Sequence, residues 1–405
     1  MITRKRDLRT GFSLWEGHKI PKLAYGQSPK ADFYDVVVIG CGISGSLISE
    51  RLCNLGLRIL AVDRRRPASG STSASTALIQ WEIDQPLVKL AKQRGWKTAS
   101  SAYLASVAAV KALQRRIRTL GVDCEMAPRD TLLLAGDAMG KTALAREVKQ
   151  RRRLGLPSVL LDQKGLLKKY GFDREAAIES KGSIELNPVQ LSLGMLKLAM
   201  NSGVEVVAPL NVIGIDATSK GVFVSFENGR VIAARKVIVA SGYEMLPELP
   251  NKKYDLVSTW ALATVKQMPN QLWPHKVLVW EASDPYLYFR TTHDNRIVVG
   301  GEDASYSNPE RRDRQIKKKS QKILQKFGVL WPAATLKADY QWAGTFAESP
   351  TGMPIIGEVP ELPNVFAVLG AGGNGITFSC VASDLAKSWV QNKAHKLAPL
   401  FAIRA

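Results

Sequence analysis

The pattern of apolar and polar positions changes character along this 405-residue chain. Residues 36–39, Val-Val-Val-Ile, form a short β-branched run, as expected of a parallel strand buried on both faces. A helix-like pattern follows over 44–55, then a second apolar run over 58–62. Residues 99–120 and 143–153 read as helices. Asn187-Pro188 starts another that runs to 201 and is stopped by Gly203. Residues 204–207 read as a strand. Residues 222–226 and 231–233 flank Asn228-Gly229, a hairpin signal, and 236–240 read as a further buried strand. From about 254 the strands lengthen and alternate, over 260–266, 276–281, 286–291 and 296–301, which is an antiparallel pattern. Near the end, 365–369 read as a strand, 370–375 as a glycine-rich turn and 376–390 as a helix.

These elements predict an α/β fold, α+β overall. A Rossmann-like domain with a parallel sheet is interleaved with a second domain whose sheet is mostly antiparallel. The expected nucleotide-binding domain is discontinuous, over 34–105, 185–245 and 342–395, and the second domain takes 106–184 and 246–341. Residues 1–33 are expected to be an irregular lead-in and 396–405 a tail.

The first strand leads straight into Gly40-x-Gly42-x-x-Gly45, and the second ends on Asp63. In this spacing Gly40 allows the tight turn, Gly42 lets the backbone approach a pyrophosphate, and Gly45 lets the helix pack closely on the sheet. The helix N-terminus then favours negative charge, and Asp63 is placed to accept hydrogen bonds from a ribose. Strand, turn, helix, strand and acid in this order predict a bound dinucleotide. The second strand–turn–helix, ending on the 376–390 helix, can stabilise negative charge developing on a redox ring.

Composition narrows the picture. The four cysteines, Cys41, Cys53, Cys124 and Cys380, form no C-x-x-C pair, and the four histidines are scattered, so no metal site is expected. The basic residues 1–10 precede no apolar run of signal-peptide length, and no stretch is long and apolar enough to span a bilayer, which predicts a cytoplasmic protein. The net charge is +20, concentrated in 146–153 and 311–326. The second run is expected to be a surface helix buried along Ile316, Ile323 and Leu324. No aromatic residue interleaves with 311–322, so a solvated basic face is favoured over a nucleic-acid groove.

Six motifs in order resemble the FAD-dependent oxidoreductases of the D-amino-acid oxidase superfamily, which includes glycine oxidase, sarcosine oxidase and γ-glutamylputrescine oxidase-like proteins. They are the Val-Val-Val-Ile-Gly-Cys-Gly-Ile-Ser-Gly run, Gly70-Ser-Thr-Ser-Ala-Ser-Thr76, Asn187-Pro, Val237-Ile-Val-Ala-Ser-Gly242, Tyr286-Leu-Tyr-Phe-Arg290 with Val298-Val-Gly-Gly301, and Gly352-Met-Pro-Ile-Ile-Gly357 with Gly372-Gly-Asn-Gly375. The resemblance spans roughly 34–395. It implies FAD, with Gly40, Gly42, Ile43, Ser44 and Gly45 at the pyrophosphate and Asp63 and Arg64 at the adenosine ribose. Ser71, Thr72, Ser75 and Thr76 would line the approach to the phosphates and flavin. Val212 would meet the adenine, Ser241 and Gly242 would lie near the dinucleotide, and Gly372, Gly373, Asn374, Gly375, Ile376 and Thr377 would face the flavin ring.

Two departures from the family pattern carry information. Ala74 stands where one branch has the histidine that links the flavin, and no cysteine falls between Cys124 and Cys380, so non-covalent FAD is implied. Phe346 stands where the amino-acid oxidases place an arginine that clamps the substrate carboxylate, and phenylalanine cannot replace a bidentate clamp. The implied reaction is oxidation of a C–N bond in an amine or amino-acid-like substrate: hydride passes to the flavin and the imine is hydrolysed. Dioxygen, a quinone or an electron-transfer protein would reoxidise the flavin. Tyr288, Arg290 and Phe346 are the expected pocket residues, Arg290 being a candidate substitute for the missing clamp. Two other readings stay open: an NAD(P)-dependent dehydrogenase, because Arg64-Arg-Arg66 suits a 2′-phosphate, and a flavoprotein acting on tRNA or another polyanion, because of the charge.

Overall fold

A computed structural model describes residues 8–18, 20–244, 246–249, 254–370 and 372–403. The basic 1–7, Ala371 of the glycine-rich turn and the last two residues of the expected tail therefore lie outside the described residues, as does the expected domain boundary at 245.

Two sheets carry the fold. In the first, Val365–Leu369, Val231–Val239, Phe33–Ile39, Ile59–Val62 and Glu205–Val207 run parallel in that spatial order, with Ile355–Glu358 antiparallel at one edge. The period-two geometry of a strand explains why Phe33–Ile39 is apolar throughout its second half. Val36 and Val38 enter a core shared with the helices Ile43–Leu52, Trp96–Leu120, Pro188–Asn201 and Gly375–Val390. Val37 and Ile39 enter a second core under the hairpin Val212–Thr218 and Gly221–Phe226. The hairpin arm over 231–233 and the strand over 236–240, read as separate elements in the sequence, form one strand, Val231–Val239. Its first half pairs antiparallel with Gly221–Phe226, and it runs parallel to Phe33–Ile39.

The second sheet has ten strands, including Asp255–Thr264, Leu278–Glu281, Leu287–Thr291, Ile297–Ala304 and Ala338–Glu348. Among the described residues its strands pair antiparallel except Leu278–Glu281 with Ala127–Leu134. The expected boundary at 342 cuts Ala338–Glu348, which pairs with Asp255–Thr264 along its whole length, and we place that boundary after Glu348. The lead-in is not wholly irregular. Arg9–Phe12 adds an edge strand to Ala338–Glu348, and Leu14 and Trp15 behind it are fully buried.

The basic run over 311–326 departs from expectation. It is split into Pro309–Asp313 and Ile316–Leu330, and the buried stripe of the second helix is Ser320, Ile323, Phe327 and Leu330, while Ile316 and Leu324 are only partly buried. That stripe meets an aromatic cluster of Phe172, Trp273, Phe289 and Trp331 on one face of the ten-stranded sheet. Lys319, Lys322 and Lys326 all converge on the buried carboxylate of Glu302. Part of this positive charge is therefore used internally.

Candidate functional site

One cavity runs between the two sheets, from the Gly40 turn to the tyrosines of Leu287–Thr291 and the residues just before it. Every expected cofactor residue except Gly45 lines it, as do Tyr288 and Phe346. Gly45 has a different task. A Cβ there would stand 1.7 Å from the Gly40 carbonyl oxygen, so only glycine lets Ile43–Leu52 start where it does. Gly40 has φ +108°, and its Cβ would meet the Ala240 carbonyl oxygen at 2.5 Å. These contacts bring the N-terminus of Ile43–Leu52 to the cavity wall, where the first turn of a helix favours an anion.

Asp63 closes the same turn. Its Oδ2 accepts from the Cys41 N–H at 2.7 Å and its Oδ1 from the Arg65 N–H at 2.8 Å. Burial raises its carboxyl above the ordinary range, and those two N–H donors oppose the rise. Beside it, Glu244 pairs with Arg64 and, at 2.7 Å, with Arg65. The arginines that suggested a 2′-phosphate site are thus balanced by a carboxylate, which suits ribose hydroxyls better than a further phosphate.

The small-residue segment over 70–76 is built by contacts that the sequence does not display. The short helix Ser71–Ala74 presents Thr72, whose Oγ1 accepts from the Ile43 N–H at 2.9 Å. The next three carbonyls are each taken from behind: Ala74 O by Trp342 Nε1 at 2.9 Å, Ser75 O by Trp15 Nε1 at 2.7 Å, and Thr76 O by Arg290 Nε at 2.7 Å. The segment can therefore turn its other edge to the cavity. Ser71 Oγ is buried there with no partner, an orphan that a phosphate oxygen or bound hydroxyl would satisfy.

Arg290 is thereby corrected: it is not a pocket residue. It is 2 % exposed and also donates to Thr291 O at 3.0 Å and Leu186 O at 2.9 Å, with Glu185 at 3.5 Å. With three of its five N–H donors on carbonyls and the rest of the group buried beside Glu185, the guanidinium is out of reach of a substrate carboxylate in the cavity.

At the far end, the helix Gly375–Val390 begins beside the cavity. Asn374 and Thr377, expected to face a flavin ring, line the cavity but use their side chains to hold the backbone opposite. Asn374 Nδ2 donates to Glu82 O at 2.7 Å, and Thr377 Oγ1 to Gln80 O at 3.0 Å. That fixes the segment carrying Asp84, whose carboxylate accepts from the Gly373 N–H at 2.9 Å. Asp84 is open to the cavity yet enclosed by protein on its other sides. Burial, reinforced by the Asp303 carboxylate, pushes it up to about 6.

The ten-stranded sheet supplies the remaining wall. Tyr288 pairs with Trp280 and with Gly300, and its ring lies over Gly300, where a Cβ would come within 2.4 Å. The rings of Tyr286 and Tyr288 are 5.6 Å apart. Burial raises both phenols well above their usual range. Asp84, Tyr243, Glu244, Thr259, Trp280 and Tyr286 line the cavity and were not among the expected site residues. Only Tyr286 carried a usable signal, since Tyr-Leu-Tyr puts two tyrosines on one face of a strand. Among the described residues no His, Cys, Asp and Glu cluster could hold a metal ion, and no helix is long and apolar enough to cross a membrane.

The geometry agrees with comparisons to known proteins. A probable oxidoreductase, OrdL, of Rhizobium meliloti (strain 1021) is 21% identical over 98% of this chain and 92% of its own length. The glycine oxidase of Geobacillus kaustophilus (strain HTA426) is 24% identical over 90% of this chain and 96% of its own. The crystal structure of glycine oxidase from Geobacillus kaustophilus superposes with a TM-score of 0.74, covering 93% of this chain and 100% of that one. A dithionite-reduced L-alpha-glycerophosphate oxidase from Mycoplasma pneumoniae, solved with FAD bound, superposes at 0.75 with 17% identity, covering 89% of this chain and 95% of that one. The family model for FAD dependent oxidoreductases, DAO, matches residues 35–389. With that match across most of its length, this chain belongs to the DAO family of FAD dependent oxidoreductases.

Proposed function

We propose that this protein oxidises a C–N bond of a small amine, with non-covalently held FAD as the hydride acceptor. The observation that carries the reading is the continuity of the cavity. An anion-binding helix N-terminus lies at one end, and a buried aromatic chamber beside a second helix N-terminus lies at the other.

In this reading Gly40, Gly42, Ile43 and Ser44 hold the pyrophosphate, with Thr72 bracing the turn. Asp63 takes the adenosine ribose. Val212, Ser241 and Gly242 border the adenosine half, and the orphaned Ser71 Oγ bonds the dinucleotide. Gly372, Gly373, Gly375 and Ile376 face the flavin. FAD supplies the two-electron chemistry. The chain itself binds the amine against Tyr286, Tyr288 and Phe346, orients its carbon–nitrogen bond and keeps bulk water from the reacting face. Among the described residues no histidine lines the cavity, which fits a reaction that needs orientation more than acid–base relay.

The test is a visible spectrum of the purified protein before and after acid precipitation, followed by anaerobic addition of amines. Flavin bands that move to the supernatant, and that bleach with an amine before precipitation, support the proposal. A colourless protein that added FAD does not turn yellow refutes it. Air or a quinone admitted to the bleached sample then identifies the electron acceptor.

A further inference from the structure

We infer that the aromatic end of the cavity selects a cationic amine carrying no carboxylate, and that Asp84 is the group its ammonium meets. This rests on the reading of the cavity as a site of flavin-dependent amine oxidation, and it narrows that reading to one class of substrate.

The distribution of charge is the first observation. Among the described lining residues the only cationic side chains are Arg64 and Arg65. Both sit at the dinucleotide end on Glu244. Among the described residues the aromatic end has no lining cation. Phe346 stands on its wall, and Arg290 is spent on three backbone carbonyls. A substrate carboxylate brought here would be desolvated with no cationic partner among the described residues and would face Asp84.

The second observation is independent of the first. Asp303 has both carboxylate oxygens buried, and its neighbours there are the hydroxyls of Thr259 and Tyr286, with no cation in ion-pair contact among the described residues. Its field reaches Asp84, Tyr286 and Tyr288, and it also reaches Glu348. Asp84, Asp303 and Glu348 are each raised by burial, and like charges raise Asp84 and Glu348 further. A buried carboxylate that has hydroxyl neighbours and no ion pair, and that acts on a second carboxylate, is stabilised by an incoming cation. Asp84 is the member that a ligand can touch. It lines the cavity, its one hydrogen bond comes from the Gly373 N–H, and Asn374 and Thr377 hold its segment in place. The rings of Tyr286 and Tyr288, tilted 35° to one another, add faces that attract a cation and repel an anion.

The test uses a matched pair: butylamine, and norvaline, which is butylamine with an α-carboxylate, with butyrate as the anion control. Binding is measured by calorimetry on the anaerobic, dithionite-reduced holoenzyme, where no turnover can occur. Butylamine is expected to bind at least about tenfold tighter than norvaline or butyrate. Asp84→Asn is expected to weaken butylamine by a similar factor while leaving FAD affinity unchanged. Norvaline or butyrate binding as tightly as butylamine overturns the inference, and so does an Asp84→Asn protein that binds butylamine normally. If that variant does not fold, the matched pair on the unaltered protein decides. An oxidised holoenzyme bleached by norvaline and not by butylamine overturns the substrate class and leaves C–N oxidation standing. One that neither binds nor oxidises any of these compounds or a wider amine panel overturns both.

Discussion

Replacing Arg290 by methionine is the sharpest probe of how the cofactor loop is built. Methionine keeps most of the side chain's length and removes every donor. Three buried carbonyls, those of Thr76, Leu186 and Thr291, then lose their side-chain partner. At ~1–3 kcal/mol for each unsatisfied buried group, the loss is on the order of 3–9 kcal/mol. Glu185 keeps Arg129 at 2.6 Å, so the lost ion pair adds less than it would for an orphaned charge. Set against a total stability of ~5–15 kcal/mol for an ordinary protein, this is a large fraction. The damage is local to Thr76 O, which borders the cavity, so FAD affinity is expected to fall at least about tenfold. Guanidinium unfolding of the cofactor-free protein gives the first quantity, and quenching of flavin fluorescence on binding gives the second. Arg290→Lys is expected to recover part of both. A methionine variant that loses less than about 1 kcal/mol and binds FAD normally would refute the view that Arg290 positions the loop, since that is the range of a neutral surface change.

Other outcomes follow from the same contacts. Gly45→Ala sets a Cβ against Gly40 O and is expected to cost about 3 kcal/mol or more and abolish flavin retention, read by unfolding and by the visible spectrum. Gly300→Ala pushes on the Tyr288 ring and is expected to raise the amine KM about tenfold while FAD affinity holds, read by steady-state kinetics and flavin titration. Asp84 is raised to about 6, so between the ordinary carboxylate value and 6 the native state holds a proton the unfolded chain has released. Through this group the cofactor-free protein therefore loses stability as pH rises across that window, and Asp84→Asn should flatten the slope in unfolding measured from acid to neutral pH.

The motifs that were legible are those where local geometry demands one residue type. Gly40 needs a positive φ and Gly45 a missing Cβ, and both needs arise within a single strand–turn–helix unit, so the spacing alone announced a bound dinucleotide. Asn187-Pro188 and Asn228-Gly229 marked a helix start and a hairpin for the same reason. Domain partition was harder to read. The continuous strand Val231–Val239 looks like two elements because its first half alternates under the hairpin and its second half is buried on both faces.

The sequence by itself determined the dinucleotide turn, the interleaving of a parallel with an antiparallel layer, and the absence of an arginine at Phe346. The roles of Arg290 and Asp84 were decided only by tertiary structure. Arg290 reads as a strand-end charge facing a pocket until Thr76 and Leu186, 214 and 104 residues away, bring it their carbonyls. Asp84 reads as one acid among many until Gly373, 289 residues away, and the field of Asp303 fix its place and its proton affinity. Backbone rules act between neighbours in sequence and leave a mark there. Desolvation and long-range hydrogen bonding act between neighbours in space, and the chain acquires those only when it folds.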